Sequence, residues 1–340
     1  MKTSYFAILF LIVLTSCKND ADRSNSFEPN LVLEEFDYFE ETIPYGNTPY
    51  NITENHDKIA ALGRILFYDT RLSQNNSIAC ATCHKQDMGF SDNQQFSQGL
   101  KNYTTSRNSM ALINNSYQIS HFWEGHRGQL HEHILNPISN HIEMGMRDNE
   151  QLVEKLSEIE SYNELFEQIY HNPINEEIIS NALATFVASI ISYNSKYDKG
   201  QQIDFVNFTA SEKKGMELFF GKAKCSQCHG GDHLSASWRK NANIGLDMEY
   251  TDQGAGNGAF KVPSLRNIAL TSPYMHDGRF QTLEEVVNHY VNGVQEHPDL
   301  DWTLGNKIEL NEFEKKDLVE FLNTLTDYEV TTDQKFSNPF

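Results

Sequence analysis

Apolar residues recur along this chain with a helical period far more often than with the two-residue alternation of a strand. His56–Tyr68 carries Ile59, Leu62, Ile65 and Leu66 on one face. Asn149–Tyr170 shows Leu152, Val153, Leu156, Ile159, Leu165, Phe166 and Ile169, which predicts one long amphipathic helix. Glu176–Ile191 is apolar on most faces through Ile178, Ile179, Ala182, Phe186, Ile190 and Ile191, the pattern of a helix buried in a core. Thr209-Ala210-Ser211-Glu212 has capping-box spacing and predicts a helix start just before a cysteine motif. Thr282–Tyr290 and Asn311–Leu325 are further amphipathic segments. Strand patterns are scarce, so the expected fold class is mainly α. The Gly-rich Gly254–Gly258 reads as a loop without the strand and helix that a phosphate site needs.

The longest early apolar run, Tyr5–Leu14, follows the positive Met1-Lys2 and has the form of a signal-peptide core. It leads into Leu14-Thr15-Ser16-Cys17, which resembles a bacterial lipobox. Residues 1–16 are therefore expected to be a signal, with lipid on Cys17 and a polar, Asn- and Glu-rich tether over residues 17–52. A plain secretory signal beside an unrelated Cys is the alternative. Lipidation anchors a protein without spanning, and no later run approaches the ~18 apolar residues a span needs. Lys18 after Cys17 points to the outer membrane, on its periplasmic side, by analogy with enterobacterial sorting.

The 340 residues leave room for two domains, expected at 53–200 and 201–340 with the boundary near Ser195–Asp204. A formal net charge of −20 argues against nucleic acid as partner. The same charge could steer a basic redox protein or serve solubility alone.

Candidate chemistry enters with the five cysteines. Apart from Cys17 they form two matching sets, Cys80-Ala81-Thr82-Cys83-His84 and Cys225-Ser226-Gln227-Cys228-His229. C-x-x-C-H is the attachment signature of c-type haem. Two thiols add across the haem vinyl groups, and the adjacent His is placed to bind the iron. The two matches use every remaining cysteine, leaving none for a disulfide framework, so two covalently bound haems c are expected. The second set begins 145 residues after the first, and the surroundings partly repeat. Arg107-Asn108 and Glu124-Gly125 follow the first set; Arg266-Asn267 and Asp277-Gly278 follow the second. An internal duplication is implied.

Several blocks, in order and spacing, resemble the bacterial dihaem cytochrome c peroxidase/MauG family. They are Leu62-Gly63-Arg64, Phe67-Tyr68-Asp69, Cys80–His84, Arg107-Asn108, Phe122-Trp123, Asn136-Pro137, Glu143-Met144, Pro263–Asn267 and Pro273–Gly278. The resemblance covers nearly all of the expected mature chain and implies two cytochrome-c-like haem domains. It implies Glu143 as the acid over a peroxidatic N-terminal haem and Trp123 as an aromatic relay between haems. His133 stands where the family often has Gln, with solvent, packing or proton transfer all open to it. Asn108, Thr271 and Pro273 fall on positions that hold an inter-domain calcium, largely through oxygen.

Two departures bear on subtype. The position sixteen residues after His84, where many of the peroxidases carry a capping His, is Leu100. Leu cannot ligate iron, so the first haem is expected to be open, with His121 as a minor rival ligand. Fourteen residues after His276 stands Tyr290, where the peroxidases have Met and MauG has Tyr. Tyr290 is the expected distal ligand of the second haem, Met275 its main rival and His289 a weaker one. The implied activity is reduction of hydrogen peroxide to water with electrons from a small cytochrome c or copper protein. A MauG-like oxidase acting on a partner protein or organic substrate, and a non-enzymatic electron carrier, are the alternatives. A homodimer is compatible with either enzyme.

Overall fold

The computed structural model describes residues 31–39, 55–235 and 242–340. Expected elements on residues 1–30, the signal and Cys17 among them, lie outside the described residues. The described chain is mainly helical, and its only paired strands are the two-residue segments Ser120–His121 and His126–Arg127. No helix of the described residues is long and apolar enough to cross a membrane.

Two hydrophobic cores organise these helices. The first gathers Leu62, Leu66, Phe67, Phe90, Leu152, Phe166, Ile179, Leu183 and Phe186. Its axis is the helix His56–Tyr68 packed on Glu176–Ser189, with Gly63 at the crossing. A Cβ on Gly63 would stand 2.0 Å from the carbonyl oxygen of Ala182, so only glycine allows this approach. The second core gathers Phe208, Leu218, Phe219, Leu283, Val287, Leu318, Phe321 and Leu322. There the helix Ala210–Phe220 packs on Glu312–Asn323, and Gly215 meets the carbonyl oxygen of Asp317 in the same manner, at 1.9 Å from an added Cβ.

Three sequence expectations change. Asn149–Tyr170 is two helices, Asn149–Ser157 and Glu160–Tyr170. A single helix in phase with Leu152 and Leu156 would turn Asn163 inward; the break at Glu158-Ile159 re-phases the chain so that Tyr162, Leu165, Phe166 and Ile169 are buried instead. Residues 31–39, expected in the tether, pack on the first core through buried Tyr38 and Phe39. Arg64 secures them with a 3.2 Å ion pair to Glu34 and its guanidinium 5.1 Å over Phe36. The C-terminal residues cross back as well: Phe336 enters the first core against Phe90 and Phe186, at 6.2 and 6.3 Å between ring centroids.

The helix starts are well marked. Thr209 accepts from the Glu212 amide at 3.2 Å while the Glu212 carboxylate receives the Thr209 amide at 2.6 Å. The segment Thr282–Tyr290 begins as a helix at Leu283–Asn288 but opens into a wide π-turn over His289–Gly293. Such turns often mark functional positions, and this one carries Tyr290.

Candidate haem sites

Both cysteine sets open on one cavity of about 710 Å³. Cys80, Cys83 and His84 border it in the first half, and Cys225, Cys228 and His229 in the second. The first set is a single helical turn, Cys80–Cys83, and the second a tighter turn, Cys225–Gln227. In both, the backbone amide of the His bonds back to the first cysteine's carbonyl, at 3.0 Å for His84 and 2.8 Å for His229. No disulfide joins these four cysteines. Burial pushes the Cys80 thiol up to about 12, Cys83 to about 11 and Cys225 to about 12.

The two histidines are oriented alike. His84 Nδ1 lies 3.0 Å from the Phe90 carbonyl and His229 Nδ1 lies 3.1 Å from that of Pro263. A ring that donates through Nδ1 leaves Nε2 as the lone-pair nitrogen for a metal. Burial holds both imidazoles below their ordinary pKa, His229 at about 4, and a neutral ring is the form that ligates iron. Paired thiols, an oriented neutral imidazole and a largely apolar cavity fit a haem at each set.

Opposite these features the two halves differ. Glu143 borders the cavity, and its charge is felt by both Cys80 and Cys83. Burial raises its carboxyl to about 7. Asn140 Nδ2 donates to Glu143 Oε1 at 2.8 Å, while Asn140 Oδ1 accepts from the Ile142 amide at 2.9 Å, which fixes the turn. Leu100 is buried and packs on Gly145 outside the cavity wall, its amide bonded to the carbonyl of Ile142 at 2.8 Å. The residue at the capping position thus supports the turn that carries Glu143.

Tyr290 and Met275 both border the cavity. Tyr290 lies by the second set, since Cys225 and Cys228 both act on its phenol, and burial keeps that phenol protonated far above neutrality. Met275 precedes His276, whose ring stacks on Phe260 at 3.6 Å and meets Trp123 edge-on at 6.4 Å. His289 does not border the cavity, and its Nε2 lies 3.0 Å from the Ile244 carbonyl. His121 does border it, with Nε2 3.2 Å from the Gly128 carbonyl and burial lowering the imidazole to about 4. His133 borders it too, 5.5 Å from His121 between ring centroids, with Nε2 3.1 Å from the Arg127 carbonyl.

Trp123 is held rigidly on the same wall. Its Nε1–H donates to the Asn108 carbonyl at 2.8 Å, and its own carbonyl accepts from the Lys261 amide at 2.8 Å. Asn108 in turn donates its amide to the His276 carbonyl at 2.8 Å, so residues of the two halves lock together here. Thr271 and Pro273 border the cavity with Asn108. Among the described residues no group of three or more His, Cys, Asp or Glu side chains is arranged for a metal; carbonyl-rich sites are of another kind.

Sequence reasoning missed Lys261. It is buried on the cavity wall, and no carboxylate of the described residues forms an ion pair with it. Burial alone lowers its ammonium to about 8. Its signal was present: one cation amid Ala259-Phe260-Lys261-Val262.

Known proteins are similar to this chain in sequence and fold. The family described as di-haem cytochrome c peroxidase matches residues 57–204 and 215–340. Methylamine utilization protein MauG of Methylorubrum extorquens is 34% identical over 281 residues, 78% of this chain and 77% of that protein. Cytochrome c551 peroxidase of Nitrosomonas europaea is 34% identical over 292 residues, 81% of this chain and 82% of that one. A solved MauG-like protein associated with microbial copper homeostasis superposes with a TM-score of 0.76 at 31% identity, covering 88% of this chain and 98% of its own.

Proposed function

The chain belongs to the di-haem cytochrome c peroxidase family, a family of oxidoreductases, and from that membership we propose that it reduces hydrogen peroxide to water. In this reading one haem c is attached at Cys80, Cys83 and His84, and a second at Cys225, Cys228 and His229. A small cytochrome c or copper protein would supply the electrons, and the residues around Cys225, Cys228 and His229 would hold the haem that takes them up. When bound, the haems supply irons that exchange electrons, and the first also offers a place for peroxide to coordinate.

The observation that carries this reading is Glu143, a half-buried carboxyl beside the first cysteine pair with a pKa of about 7. Heterolysis of peroxide needs a group that takes a proton from one oxygen and returns it to the departing one. A carboxyl that titrates near neutrality can do both. Asn140 holds the acceptor oxygen in place. Trp123, fixed by Asn108 and in edge contact with His276, is the proposed electron relay. Tyr290 would ligate the iron of the second haem, and Lys261 would pair with a haem carboxylate, for which its buried ammonium is suited. Asn108, Thr271 and Pro273 are proposed to bind calcium through oxygen. We further place the protein on the periplasmic side of the outer membrane, anchored by lipid on Cys17.

The test is Glu143→Gln, which keeps shape and hydrogen bonding but cannot act as base. Peroxide turnover with a reduced cytochrome c should fall by a factor on the order of 10²–10⁴ while both haems stay bound. Unchanged turnover would overturn the reading. Tyr290 beside the second cysteine pair supports a MauG-like oxidase as the second reading. It is favoured if one peroxide oxidises both haems while reduced cytochrome is not consumed.

A further inference from the structure

A second cluster of oxidisable side chains lies outside the cavity. The Tyr193 hydroxyl and His233 Nδ1 are 2.7 Å apart, a hydrogen bond that runs from phenol to imidazole in the tautomer with its proton on Nε2. Tyr117 stacks on His233, with ring centroids 4.2 Å apart and planes 24° apart, and meets Tyr193 edge-on at 5.9 Å. The Arg266 guanidinium sits 4.4 Å over the Tyr193 ring, its charge met by Asp198 at 2.9 and 3.0 Å.

Arg266 also borders the cavity, so the residue that covers the Tyr193 ring also reaches the haem space. The His233 carbonyl accepts from Ser264 Oγ at 2.6 Å, and Ser264 follows Pro263, the residue that orients His229. The cluster is thus tied to the histidine side of the second site. Tyr117 is buried, whereas Tyr193 and His233 are half-buried, so the group leads from the core toward solvent.

Packing alone accounts for the stacked rings but not for a phenol aimed at an imidazole nitrogen. Removing an electron from a phenol is hard unless its proton can leave at the same time. Burial keeps the Tyr193 phenol protonated and holds His233 at about 4, so at neutral pH the donor is loaded and the acceptor empty. A phenol radical cation is a far stronger acid than the phenol, so even this weak base takes its proton.

We propose that Tyr193, with His233 as proton acceptor, is a one-electron reserve that supplies the second haem when peroxide is present and the external donor is not. This rests on the peroxide chemistry proposed above. Reducing one hydrogen peroxide to two waters consumes two protons from solvent and two electrons. One electron leaves the haem pair and the other leaves Tyr193. The phenolic O–H bond breaks, its proton moves to Nδ1 of His233, and a neutral phenoxyl radical remains. One electron from the donor and return of the proton restore the phenol.

The experiment treats the full holo-protein with peroxide alone, freeze-quenches it and records electron paramagnetic resonance. The expected signal is an organic radical whose hyperfine splitting collapses when the protein carries ring-deuterated tyrosine. It should be lost in Tyr193→Phe, persist in Tyr117→Phe and form in much lower yield in His233→Gln, while turnover with donor present is unchanged in Tyr193→Phe. A tyrosine radical undiminished in Tyr193→Phe overturns the proposal. So does the lack of any tyrosine radical while the haem optical bands report oxidation, an outcome that leaves the peroxide reading standing. Haem bands unmoved by peroxide overturn that reading and the reserve with it.

Discussion

The two cysteine sets are built alike from below and differently from above. Each follows a helix whose glycine, Gly63 or Gly215, rests on the backbone of a partner helix. Each turns its histidine by a backbone carbonyl, Phe90 or Pro263. Across the cavity the likeness ends. The first faces a carboxyl with a pKa of about 7, the second a phenol that burial keeps protonated. On the proposed reading the attachment signature would specify where a haem is held and how its histidine is aimed, while what its iron can do would be set by residues that lie far from the signature in sequence.

The largest effects should come from erasing one side of the comparison. Cys80→Ser with Cys83→Ser, and Cys225→Ser with Cys228→Ser, should each halve the covalent haem measured as the pyridine haemochrome. Peroxide turnover should vanish in both, but for different reasons. Without the first pair the remaining haem should not respond to peroxide or cyanide. Without the second pair the first haem should still respond and should no longer be reduced by a donor cytochrome. Identical spectra from the two variants would remove the asymmetry altogether.

Next in size are the residues that border the cavity near each cysteine set. Glu143→Gln, with its loss on the order of 10²–10⁴ in turnover, should leave the spectrum of the second haem untouched. Tyr290→Phe should do the reverse, changing the optical spectrum and raising the reduction potential of the second haem. If Tyr290→Phe leaves the spectrum unchanged, Met275 becomes the ligand to test.

Much of this was legible in the sequence, for identifiable reasons. Helices such as His56–Tyr68 follow from apolar spacing, and the start at Thr209 from a four-residue cap, because both are local. The haem signatures are local as well. The break at Ile159 was not legible, because it contains neither Gly nor Pro and is forced by which residues the first core must bury. Nor was the return of Phe336 to that core, which is set by space left between Phe90 and Phe186. Leu100 was recognised as unable to cap an iron, but its support of the Glu143 turn depends on a contact with Gly145. Tyr193 and His233 are 40 residues apart, and no spacing rule joins them.

The duplicated helix crossings give a smaller effect that tests likeness instead of difference. Gly63→Ala and Gly215→Ala each push a methyl into a backbone carbonyl, Ala182 in one half and Asp317 in the other. Overpacking of this kind costs about 1–3 kcal/mol, so both variants should show comparable losses in denaturant unfolding. A large loss in one and none in the other would show that the halves are only superficially equivalent.

The subtlest difference is in pH. Glu143 must be ionised to take a proton from peroxide, and its folded pKa is raised by burial to about 7 from an ordinary value near 4.5. Reactivity at the first haem, read as kcat/KM for peroxide, should therefore fall as pH drops through about 7. Asn140 supplies a donor that favours the ionised carboxyl. Asn140→Asp keeps an oxygen for the Ile142 amide but replaces that donor with a like charge, so the midpoint should move up by about one unit or more. Tyr290→Phe should leave the midpoint where it is, because the phenol does not titrate near neutrality. A midpoint that moves with Tyr290 and not with Asn140 would assign the proton chemistry to the wrong half of the molecule, and with it the division of labour between the two haems.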